Sequence, residues 1–125
     1  MRGSLLAVVV LSGLSAAAPA VAQADPLQPM RAALDACAAQ AGAPMVVKLR
    51  CAADAMRLVP ESHAGRHGAI QHANRLERIA LDLEAGRENE TEAMRRAGSS
   101  EAMAQQEWSN AMRQEESQRA RRRVE

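Results

Sequence analysis

Two cysteines lie at equal distances from a short Gly-Pro break, and that symmetry constrains the fold of this chain more than any other feature. Cys37 and Cys51 are its only cysteines, and Pro44, in the run Gly42-Ala43-Pro44, is their midpoint. Gly ends a helix by accepting a left-handed backbone, and Pro suits the first turn of the next one. If the flanking segments are helices folded back on each other, each cysteine sits about two turns, or roughly 10 Å, from the bend. The two then face each other across the hairpin. A disulfide needs Cα atoms within about 7 Å, which closely packed helices with small alanine neighbours allow.

Pairing also needs an oxidising compartment, and the N-terminus points to one. Arg2, the apolar run from Leu5 to Leu14, and Ala22-Gln23-Ala24 are the charged, apolar and small-x-small parts of a secretory signal peptide. The apolar run is interrupted by Ser12-Gly13 and followed by Pro19, and it is shorter than the about 20 apolar residues of a membrane-spanning helix. No lipobox cysteine follows it. Residues 1–24 are therefore expected to be a cleavable signal peptide. Residues 25–125 are expected to be one small helical domain, periplasmic or secreted, with no transmembrane span after cleavage. In that setting Cys37 and Cys51 are expected to form a disulfide.

Loss of Arg2 leaves 15 basic residues against 15 acidic ones. A neutral chain argues against nucleic acid or an anionic membrane as its main partner. The chain has no Phe, no Tyr and a single Trp, Trp108, and much of its apolar content is alanine. Thin helix–helix seams follow, and a domain so poor in core needs a cross-link or a partner.

Along the domain, Asp25 to Pro29 is a turn-like lead-in. Leu27, Met30, Leu34, Cys37 and Ala41 then recur at helical spacing. A second helix over about 45–59 places Met45, Leu49, Ala52, Met56 and Val59 on one face, with Val47, Cys51, Ala55 and Leu58 beside them. Pro60 to Gly68 reads as a loop. A third helix carries the stripe Ile70, Ala73, Leu76, Ile79/Ala80 and Leu83, with Arg75, Glu77, Arg78, Asp82 and Glu84 opposite. Beyond it the large apolar residues thin out: charged Gly86 to Arg96 reads either as an exposed continuation of the helix or as a frayed end, and extended or partly disordered chain is one reading of 86–125. A break is expected at Gly98-Ser99-Ser100, with Ser99 or Ser100 capping a fourth helix from about Glu101. The arginines at 119 and 121–123 suit a solvated helix end. Nothing alternates long enough to be a strand. The fold class is all-α: a disulfide-linked antiparallel helical hairpin followed by one or two further helices.

Few residues carry recognisable chemistry. His63, His67 and His72 fall within ten residues, and the first two share the four-residue spacing of helical metal ligands. Gly65 and Gly68 oppose a helix there, and Ala64 stands where a zinc-peptidase motif needs Glu. These histidines are a metal-binding alternative beside the plain reading of exposed loop residues. Glu88, Glu90 and Glu92 spread around a helix as a solvated face. No nucleophile elbow and no phosphate loop is present, so no enzyme and no cofactor are expected. Trp108, with Met112 one turn on, is either the anchor of the last helix or an exposed contact for a partner.

Cys37, Met45 and Cys51, together with Ala104-Gln105-Gln106-Glu107-Trp108, resemble the LprI-type lysozyme-inhibitor domain, which has paired early cysteines and a late A-Q-x-x-W segment. The resemblance spans roughly Leu34 to Glu116 and rests on its two ends. The family's further cysteine after the tryptophan is missing here. Its D-x-x-L-N-x-x-Y stretch has only Asp54 to Val59 in its place. The resemblance implies an envelope protein that binds a muramidase. Together these readings lead to a non-catalytic periplasmic binding protein with an envelope protein as partner. The alternative is a metal-binding or stress-chaperone protein using the histidines or the methionine-rich helical faces.

Overall fold

The structure is a computed structural model that describes residues 25–125; the expected signal peptide lies outside the described residues. Four helices follow one another: α1 (Gln28–Ala38), α2 (Met45–Met56), α3 (Arg66–Glu84) and α4 (Glu90–Val124). Among the described residues there is no strand. Each helix packs on the next in sequence.

Local chemistry sets the boundaries. The Asp25 carboxylate accepts a hydrogen bond from the Leu27 N–H at 2.9 Å, and Pro29 occupies the first turn of α1. The disulfide Cys37–Cys51 joins α1 to α2, with Cα atoms 5.8 Å apart, as the symmetric spacing requires. The bend does not come from a left-handed Gly42, whose φ is not positive. Gly86 is the only described residue with positive φ, at 75°. It closes α3 in a Schellman arrangement: Gly86 N–H donates to the Leu83 carbonyl at 3.1 Å and Arg87 N–H to that of Asp82 at 2.8 Å. The loop expected to run to Gly68 is shorter, since α3 begins at Arg66. Arg66 Nη1 closes that loop by donating to the carbonyls of Arg57 and Val59 at 2.7 and 2.6 Å.

The expected break at Gly98-Ser99-Ser100 is absent. Helix α4 runs unbroken for 35 residues, about 52 Å, whereas α3 has 19. Asn89, not a serine, caps it by accepting from the Glu92 N–H at 2.9 Å. A mid-helix Gly costs about 1 kcal/mol relative to Ala, and the contacts that Ser100 makes with α3 outweigh it. Beyond Met112, α4 projects past the other helices, its residues exposed except for half-buried Glu115. Arg121, Arg122 and Arg123 lie in its last turn, where positive charge opposes the negative end of the helix dipole.

The core is as thin as the composition implies. Of its ten buried apolar residues, six are alanines, and Ile79 and Val59 are the largest fully buried side chains. Leu49 and Ala53 on α2 meet Ala73, Leu76, Ile79 and Ala80 on α3, with Ala93 closing the cluster from α4. No residue of α1 is buried. Polar ties brace the seams: Arg50 grips Glu84 through two bonds of 3.1 Å, and Arg57 reaches Glu77 at 2.8 Å. Arg96 and, less strongly, Arg87 bond Asp82 and hold its carboxyl below the usual range.

Candidate binding groove

Because α1 packs on α2 and α4 packs on α3, a groove opens between the first and last helices. Its volume is about 920 Å³. Met30 and Leu34 of α1 form one wall, and Met45, Leu49, Ala52 and Met56 of α2 form the floor. The α4 wall presents Met94, Ala97, Glu101, Ala104 and Trp108, positions separated by alternating steps of three and four residues. That is the spacing of a helix-packing seam, and among the described residues no helix is laid along it. Leu49 is buried, whereas Met94 is 62% exposed. Lys48 and Glu101, one on α2 and one on α4, add charge to a lining that is otherwise mostly apolar.

Trp108 stands in this groove half-buried. One side of its indole stacks on His63, ring centroids 4.9 Å apart and planes 28° from parallel. His63 is itself fixed, since its Nδ1 accepts the Gly65 N–H at 3.0 Å. Gly65 is buried directly under the indole, and a Cβ there would lie 2.7 Å from Cη2 and closer still to Cζ3 and Cε3. Trp108 thus does both jobs open to it: one face holds α4 to the loop before α3, and the rest lines the groove. Met112, one turn on, is half-buried.

The three histidines are not brought together. His63 lies in the loop under Trp108, His67 is exposed in the first turn of α3, and His72 is buried against α4 at 8% exposure. Among the described residues, no group of three or more His, Cys, Asp or Glu side chains is placed to share a metal ion. No helix among them is long and apolar enough to cross a membrane.

His72 belongs to a polar network that sequence reasoning missed. Its Nδ1 lies 2.8 Å from Ser100 Oγ, and Arg75 Nε donates to the same oxygen at 2.6 Å. Arg75 can only donate, which takes up one of the two lone pairs of the hydroxyl; the other lone pair and the hydroxyl hydrogen let Ser100 bond His72 Nδ1 in either tautomer. Burial pushes the His72 pKa down, and nearby Arg75 adds to that, while Glu101 and Glu107 oppose it. Read along the sequence, Ser100 looked like a cap. Only the antiparallel register of α3 and α4 places it opposite His72. The methionines of the groove carried the clearer signal, since Met30, Met45 and Met56 already fell on helical stripes.

Comparison with known proteins finds no matching family, no matching curated protein and no matching solved structure.

Proposed function

We propose that this chain is a non-catalytic binding protein of the cell envelope, and that the groove between α1 and α4 receives the apolar face of an amphipathic helix from a protein partner. The carrying observation is the alternating seam Met94, Ala97, Glu101, Ala104, Trp108, which lines the groove with no helix of the described residues against it. An amphipathic helix offers apolar residues at the matching spacing. Lys48 and Glu101 would fix its direction through charges of opposite sign. The leader-like segment 1–24 and the Cys37–Cys51 disulfide support an oxidising location such as the periplasm. The resemblance to the lysozyme-inhibitor domain makes a muramidase the first partner to test.

The four methionines of the lining favour a second reading. Flexible thioethers adapt to varied shapes, so the same groove would suit a stress chaperone with many clients. Photo-crosslinking in intact cells tests both readings. A crosslinking residue at Met94 is expected to give protein adducts, and the same residue at Val124, far along α4, is not. One stoichiometric adduct supports the dedicated binder, and a ladder of adducts supports the chaperone. Equal adducts from both positions, or none from Met94, would refute the groove as the site.

A further inference from the structure

A second, smaller cavity of about 220 Å³ lies along the α3–α4 seam. Its polar lining is Arg75, Arg78, Arg95, Arg96, Ser99 and Ser100, and no carboxylate lines it. The register explains the convergence. Positions 75 and 78 on α3, and 95/96 and 99/100 on α4, are spaced three and four apart and so project into the same seam. Ile79 and Met103 complete the lining.

Two of the guanidinium groups are held in place. Arg75 donates to Ser100 Oγ at 2.6 Å and to the Ser100 carbonyl at 3.3 Å, and its Nη2 lies 3.6 Å from Glu107 Oε1. Arg96 Nη1 bridges Asp82 and Glu88 at 2.9 and 2.7 Å. These bonds use only part of the five N–H donors that each group carries. Arg95 pairs only with Glu92, one turn away on its own exposed surface, at 2.9 Å, a contact of little worth. Among the described residues, Arg78 has no carboxylate partner. Guanidinium donors converging from two helices are the chemistry that recognises phosphate oxygens, and the anchoring of Arg75 and Arg96 lowers the ordering cost of binding.

We propose that this seam cavity binds a tetrahedral oxyanion, a phosphate group held by Arg75 and Arg78 from α3 and by Arg95 and Arg96 from α4. Convergence from two helices suits a ligand with oxygens on several sides, where a planar carboxylate would leave donors unused. The near-neutral chain does not oppose the site, because phosphate is drawn here by local placement. A phosphomonoester on a soluble molecule and one on a lipid headgroup share this chemistry.

Calorimetric titration of the purified, disulfide-intact protein tests the proposal, with inorganic phosphate as the probe and ionic strength held constant with chloride. Saturable binding of phosphate, not matched by acetate, is expected. The variant R78Q/R95Q should weaken it roughly ten-fold or more, because two charge-assisted contacts are lost. Neither side chain ties one helix to another, so the variant should melt like the parent in phosphate-free buffer. No saturable heat, equal binding of acetate, or undiminished affinity in R78Q/R95Q would overturn the proposal. Glycerol 3-phosphate and vesicles containing phosphatidic acid then separate the sources. Binding of the former that is lost in the variant supports a soluble ligand, and variant-sensitive binding of the vesicles alone supports a headgroup. Binding of neither overturns the site.

Discussion

Reducing the disulfide should release α1 and leave the other three helices folded. Cys37 and Cys51 are 14 residues apart, and closing a loop of that length restricts the unfolded chain by about 3 kcal/mol at room temperature. Helix α1 has little else to hold it: none of its 11 residues is buried, and Met30, Ala33 and Leu34 reach only half-burial. A helix of that length is marginal in water by itself. The core cluster of α2, α3 and α4 contains no residue of α1. The perturbation is reduction, or the C37A/C51A variant, and the assay is native-state hydrogen exchange read by helix. Loss of about 3 kcal/mol corresponds to roughly a hundred-fold faster exchange of the α1 amides. Amides of α3 around Leu76 and Ile79 should keep most of their protection. The reasoning is refuted if α1 exchange is unchanged by reduction, or if all four helices lose protection together.

Three further outcomes follow from the site. Gly65→Ala forces the indole of Trp108 off its seat, costing about 1–3 kcal/mol, and should show as red-shifted, more readily quenched Trp108 emission. Ser100→Ala removes the shared partner of the buried His72 Nδ1 and the half-buried Arg75 Nε. A loss of about 2 kcal/mol, lowering the melting temperature by roughly 10 °C, is expected; an unchanged melting temperature would show the network to be dispensable. The His72 pKa is lower folded than its ordinary value of 6.5. The stability it contributes is therefore complete above pH 6.5 and falls as the pH drops from there toward the folded pKa, where the unfolded chain binds the extra proton. His72→Asn, whose side-chain oxygen can accept from Ser100, should flatten the melting temperature between pH 7.5 and 5 relative to the parent.

The hairpin was legible because three independent constraints agreed on it: the symmetric spacing of Cys37 and Cys51, the turn signal Gly42-Ala43-Pro44 between them, and an oxidising compartment expected from the leader-like segment. Local signals misled where a tertiary contact outweighed them. Gly98-Ser99-Ser100 has the composition of a break, yet Ser100 lies opposite Arg75 and His72, and those bonds hold α4 continuous. Gly42 looked like the left-handed residue, while that role falls to Gly86, just past the end of the Leu83 stripe. His72 lies four and seven residues before Leu76 and Ile79 on the buried face of α3, and that spacing distinguishes it from His67, whose neighbours at the same offsets are the polar Gln71 and Asn74. The groove was half legible. Met30, Met45 and Met56 appeared on helical stripes, but Met94 did not, and that α1 and α4 would stand apart and leave those stripes uncovered is a property of the packing order.

The overhang of α4 also governs how the molecule moves through water. About a dozen residues past Met112, near 18 Å of single helix, add drag out of proportion to their mass. The protein should elute from a sizing column ahead of a compact sphere of equal mass. Its rotation should be anisotropic, slow end over end and fast about the α4 axis, even as a single copy.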